Sequence, residues 1–137
     1  MIVDTSALVA FLFAEDGWDA IGDALSSGSA VMAAPTVTEF HLVSAGRSEV
    51  LATEANRLID TMIADGMEVV PFEHRHATIT ATARERYGKG NGRGGLLNYG
   101  DLMVYAIAKQ RGEPLLCTGR DFASTDLKIH PASRIDP

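Results

Sequence analysis

Ile2-Val3-Asp4-Thr5-Ser6-Ala7-Leu8 decides the fold. Two β-branched residues run into a carboxylate, two hydroxyl residues follow, and an apolar run continues to Ala14. That order predicts a short buried strand, a tight turn and a helix capped by Thr5 or Ser6, with Asp4 at the carboxyl end of the strand. Asp4 acting as the cap itself is the plainer alternative, and the commoner role of an isolated aspartate. In open α/β sheets the carboxyl edge is where ligands bind. The question is whether other carboxylates reach the same edge.

Beyond this opening, strand and helix signals alternate. Trp18–Leu25 reads as a short helix and Ala30–Ala34 as a second buried strand. Pro35 and Thr36 open a helix that Gly46 ends, and Ser48 caps another running to about Asp65. Met67–Pro71 is a third strand, and His74–Arg86 a helix with His74 and His76 solvated at its start. Asp101–Arg111 is the strongest helix, apolar on nearly every face and stopped by Gly112. Pro114–Thr118 is a fourth strand, with Leu127–Ile129 as a last edge strand. The alternation predicts a single α/β domain over residues 1–137, a parallel β-sheet flanked by helices on both faces.

Composition narrows the function. With 46% hydrophobic and 22% charged residues the chain is typical of soluble globular proteins. No apolar run approaches the roughly 20 residues that span a bilayer, so no membrane partner is expected. The single cysteine, Cys117, excludes an internal disulfide and fits a reducing cytoplasm; a buried apolar role in the fourth strand suits it best. The net charge of −6 is unevenly spread: residues 1–46 hold six acids and no Lys or Arg. An acidic chain binds nucleic acid poorly without a local basic patch and a cation.

Four carboxylates need explaining. Asp101 begins an apolar helix and Glu39 sits among Val37, Phe40, Leu42 and Val43. Asp121 follows the fourth strand as Asp4 follows the first. Each has an ordinary reading: a helix cap for Asp101, a capping-box partner of Thr36 for Glu39, a turn aspartate for Asp121. In a parallel sheet, however, all four lie at one edge. Their mutual repulsion there demands a cation, and hard oxygen ligands suit Mg²⁺ or Mn²⁺. Such a centre activates water and stabilises a phosphoryl transition state.

The opening Val-Asp-Thr-Ser-Ala-Leu, the glutamate of Pro-Thr-Val-Thr-Glu-Phe, the segment Leu-Asn-Tyr-Gly-Asp-Leu-Met-Val-Tyr-Ala-Ile-Ala and Leu-Leu-Cys-Thr-Gly-Arg-Asp-Phe together resemble the motifs of PIN-domain ribonucleases. Their order and spacing resemble the VapC toxins of bacterial toxin–antitoxin pairs. The resemblance implies metal-dependent cleavage of RNA, often a tRNA or other structured RNA, by in-line attack of water on phosphorus. It implies Asp4 and Asp101 as main metal ligands, Glu39 as a ligand or water-positioning group, and Asp121 as the fourth acid, with Asp126 a nearby competitor. Thr5, Ser6 and Thr118 would orient the carboxylates. Arg120 would pair with Asp121 or meet phosphate. A homodimer, built on the first helix and the Ser48–Asp65 helix, and a cognate antitoxin placing an arginine among the carboxylates are implied partners.

RNA also needs cations on the surface. Arg84, Arg86, Lys89 and Arg93 flank or occupy the stretch 88–95, which holds five glycines and leads into the Asp101 helix. This stretch is expected as a flexible phosphate contact, against the alternative of a solvated loop without function. Two other readings compete. A phosphatase using Asp4 as nucleophile, in the haloacid-dehalogenase manner, needs an aspartate two residues on, where Ser6 stands. A catalytically degenerate PIN fold would act only as an RNA- or protein-binding module.

Overall fold

Four short strands, β1 (Ile2–Val3), β2 (Val31–Ala33), β3 (Glu68–Val70) and β4 (Leu115–Leu116), form one parallel sheet in the order β3-β2-β1-β4. They belong to a computed structural model that describes residues 1–137. The strands alternate with six helices: α1 (Thr5–Leu12), α2 (Trp18–Leu25), α3 (Ala34–Arg47), α4 (Glu49–Ala64), α5 (His74–Tyr87) and α6 (Tyr99–Arg111).

Side-chain alternation along the strands builds a core on each face. Val3, Met32 and Leu116 point to one side, where they meet Leu8, Ile21, Phe40 and Ile59 of α1 to α4. Ile2, Val31, Ala33, Leu115 and Cys117 point to the other, against Ala83 of α5 and Val104, Tyr105 and Ile107 of α6. Burial of both faces explains why β1, β2 and β4 read as continuous apolar runs rather than alternating ones, whereas the edge strand β3 exposes Glu68 and Val69. Helices therefore cover both faces, as expected from the sequence. No helix is long and apolar enough to cross a membrane.

Several boundaries differ from the sequence reading. Asp4, not Thr5 or Ser6, caps α1: its carboxylate accepts from Ser6 N at 3.0 Å. Gly46 lies inside α3, whose end is set by Ser48, extended at φ −171° to cap α4. Helix α6 starts two residues before Asp101, capped by Asn98. Leu127–Ile129 makes only an isolated bridge to Leu115. His76 is buried, not solvated: its Nδ1 accepts from Glu73 N at 2.9 Å, closing the cap of α5, and its ring packs on Phe72. A ring that replaces a missing hydrogen-bond partner at a helix end is drawn inward, which polarity alone does not reveal.

Candidate active site

The sheet order places β1 between β2 and β4, so the turns that follow these three strands lie side by side. Asp4 leaves β1, Glu39 lies in the second turn of α3 after β2, and Asp121 lies in the turn beyond β4. Asp101 enters from the first turn of α6.

Asp4 is 5% exposed. Burial pushes its carboxyl above the usual range, two hydrogen bonds from Ser6 oppose that, and the Glu39 charge adds to it. Asp101 is pushed up to about 7, first by burial and then by the charges of Asp4, Asp121 and Glu39, with the Asn98 backbone bond pulling down. Burial and the charges of Asp4, Asp101 and Asp121 also raise the Cys117 thiol to about 12, which leaves it a packing group. The four acids thus bear on one another across one small volume. None makes an ion pair, although eight ion pairs form elsewhere in the chain.

Local sequence fixes two of these side chains. Asp101 accepts from Asn98 N at 3.0 Å while Asn98 Oδ1 accepts from Asp101 N at 2.9 Å. This capping box holds Asp101 by one oxygen and leaves the other for a ligand. Asn98 was absent from the sequence-derived site; an Asn three residues before an acid at the head of an apolar run was the signal. Asp4 is held by Ser6, whose hydroxyl donates to it at 2.5 Å and accepts from Thr118 N at 3.0 Å. Thr118 Oγ1 reaches Ser6 O at 3.4 Å, so Thr118 supports Asp4 only through Ser6. The Thr5 hydroxyl orients no carboxylate, being buried without a partner; Thr5 bears on Asp4 only through its backbone. Glu39 does not form the capping box with Thr36, because α3 has no side-chain cap and the Thr36 hydroxyl is also unpartnered.

The competing fourth acid lies elsewhere. Asp126 accepts from Tyr105 Oη and Lys109 Nζ, both at 2.6 Å, with Arg86 at 3.9 Å. Those donors hold its carboxyl below the usual range, whereas the acids that raise Asp101 are Asp4, Asp121 and Glu39.

Among the basic residues, Arg84, Lys89, Arg93 and Arg120 are exposed and unpaired, so Arg120 does not bridge to Asp121. Arg86 is shared between Asp126 and the face of Tyr87. The glycine-rich stretch is a shaped loop rather than a loose tether. Leu97 N donates to Tyr87 O and Lys89 N to Leu97 O, closing its base. Asn91 Oδ1 accepts from Arg93 N and Gly95 N, and its amide donates to Glu85 O.

The donor set fits a hard divalent cation: four carboxylates, no histidine and no lysine among them, one deeply buried without a counter-charge. No three acids stand close enough to chelate one ion together, a spacing compatible with an ion held by one or two carboxylates with waters completing its shell.

Residues 1–128 match the PIN domain family. The chain is 38% identical to ribonuclease VapC42 of Mycobacterium tuberculosis over 130 residues, covering 93% of this chain and 97% of that one. It is 42% identical to ribonuclease VapC36 of the same organism over 131 residues, covering 94% and 92%. The crystal structure of Mycobacterium tuberculosis VapC20, described as a toxin cleaving the sarcin–ricin loop, superposes with a TM-score of 0.70 at 17% identity, covering 95% of this chain and 98% of that one. The structure of FitAB bound to the IR36 DNA fragment superposes with a TM-score of 0.68 at 22% identity, covering 94% of this chain and 92% of that one. A parallel sheet whose carboxyl edge gathers Asp4, Glu39, Asp101 and Asp121, matched by these relatives over nearly its whole length, places this chain in the PIN-domain family, among the VapC ribonucleases.

Proposed function

We propose that this protein is a metal-dependent ribonuclease and the toxin of a toxin–antitoxin pair. One observation carries the catalytic part: Asp4 is 5% exposed, has no cationic partner, and feels the charges of Glu39 and Asp101. A buried carboxylate in that position costs several kcal/mol or keeps its proton, unless a metal ion enters. When bound, Mg²⁺ or Mn²⁺ supplies charge for the phosphoryl transition state and lowers the pKa of water.

The chain's own residues divide the remaining work. Asp4 and Asp101, held by Ser6 and Asn98, are the fixed ligands. Glu39 and Asp121, on side chains without hydrogen-bond partners, would add oxygens to the bound ion or accept a hydrogen bond from the attacking water. Arg84, Lys89, Arg93 and Arg120 hold RNA backbone phosphate near the acidic edge, offsetting its repulsion of the substrate. A structured RNA such as tRNA suits cations spread over the end of α5, the loop that follows it and the turn after β4. The antitoxin covers the same edge, with an arginine among the acids. The homodimer uses the apolar residues left exposed on α3 and α4, namely Leu42, Val43, Val50 and Ile63, rather than α1, which lies largely in the core.

The test is cleavage of total tRNA and rRNA by the purified chain with Mg²⁺, with Mn²⁺ and with EDTA, beside Asp101→Asn. Cleavage that needs metal and is lost in the variant is expected. Binding without cleavage under every metal would move the chain to the non-catalytic binding reading.

A further inference from the structure

Gly100 occupies the second position of α6, between Tyr99 and Asp101. A helix interior favours alanine over glycine, and Gly100 does not have the positive φ that would call for glycine. Its neighbourhood supplies the reason. A Cβ at Gly100 would stand 2.6 Å from Glu39 Oε2, with the side-chain Oδ1 of Asn98 next at 3.5 Å. The close groups at Gly22, Gly88 and Gly95 are a ring or backbone, whereas at Gly100 the close group is a carboxylate end.

The geometry points to Gly100 as a positioning residue for Glu39: the missing side chain is the seat in which the Glu39 carboxylate lies beside Asp101. The inference rests on the metal-dependent ribonuclease reading and adds a residue to it. Three features support it. Glu39 has no hydrogen-bond donor or ion-pair partner of its own, so shape rather than bonding holds it against α6. The first-turn N–H groups of Tyr99 and Gly100 have no acceptor, and the positive end of α6 offsets part of the carboxylate's charge at this point. The atom a methyl would strike is the far end of a flexible side chain, so the fold need not yield; the carboxylate must.

Gly100→Ala therefore separates seat from scaffold. The test compares the full-length wild type, Gly100→Ala, Glu39→Gln and the double variant by melting temperature and by Mn²⁺ titration, with RNA cleavage alongside. Gly100→Ala is expected to melt no lower than wild type yet to bind Mn²⁺ at least about tenfold more weakly, the scale of losing a group that orients a ligand. In the Glu39→Gln background the same substitution is expected to change Mn²⁺ affinity no further, because its effect passes through Glu39. Wild-type affinity in Gly100→Ala, an equal loss in both backgrounds, or a lowered melting temperature would each overturn the inference. A wild type that takes up no Mn²⁺ would overturn the metal-dependent reading itself, and this inference with it.

Discussion

The Ser6 hydroxyl donates to Asp4 Oδ2 at 2.5 Å while accepting from Thr118 N at 3.0 Å, so one side chain ties the end of β1 to the end of β4. Two segments more than a hundred residues apart thereby set the position of one buried carboxylate. Ser6→Ala removes both bonds and leaves the Thr118 N–H without its partner. Loss of about 1–3 kcal/mol of unfolding free energy at neutral pH is expected in urea titrations. Metal affinity should fall as well, because the carboxyl of Asp4 rises further when its main stabilising donor is gone.

Asp101 gives the metal-free protein a pH dependence of unusual sign. It keeps its proton to about pH 7 in the folded chain against a reference of 3.8. Between those values the folded state binds more protons than the unfolded state, so this group makes stability fall as pH rises. Asp4 shifts in the same direction. Melting temperatures in EDTA from pH 4.5 to 7.5 should show Asp101→Asn gaining on the wild type as pH increases. A wild type and variant that stay parallel would contradict the raised carboxyl.

Asp121 and Asp126 should behave differently. Asp121→Asn is expected to weaken Mn²⁺ binding and RNA cleavage while leaving stability within about 0.5 kcal/mol, since its side chain is exposed. Asp126→Ala removes both oxygens that accept from Tyr105 and Lys109 and should lower stability by about 1–2 kcal/mol without altering Mn²⁺ affinity. Calorimetric titration of both variants distinguishes the two roles.

Charge reversal at Lys89 and Arg93 addresses the loop. Both cations are exposed and unpaired, so folding should be untouched. RNA affinity is expected to fall and the slope of its logarithm against the logarithm of salt concentration to flatten by roughly one to two. Filter binding at several salt concentrations reads both quantities.

The fold was legible because its signals are local and consistent. Apolar runs mark β1, β2 and β4, because a strand buried on both faces cannot be polar on either; the edge strand β3 exposes Glu68 and Val69 and is marked instead by Gly66 and Pro71 on its two sides. Boundaries were less legible where a residue's role depends on its neighbours: Gly46 looks like a helix end but sits in open space within α3, where a helix tolerates it. Asp4 was read as cap or ligand; the structure shows the capping bond and the buried unpaired carboxylate together.

What the sequence determined by itself is the alternation of four parallel strands with helices, and with it the sheet edge to which Asp4 and Asp121 belong, because chain direction in a parallel sheet sends every strand end to the same side. What only the tertiary structure decided is which nearby groups meet. Asp121 and Asp126 are five residues apart and alike in sequence, yet Tyr105 and Lys109 of α6 engage only Asp126. Glu39 finds its place because Gly100, sixty-one residues on, has no side chain. Such pairings come from packing between distant segments, and no local pattern encodes them.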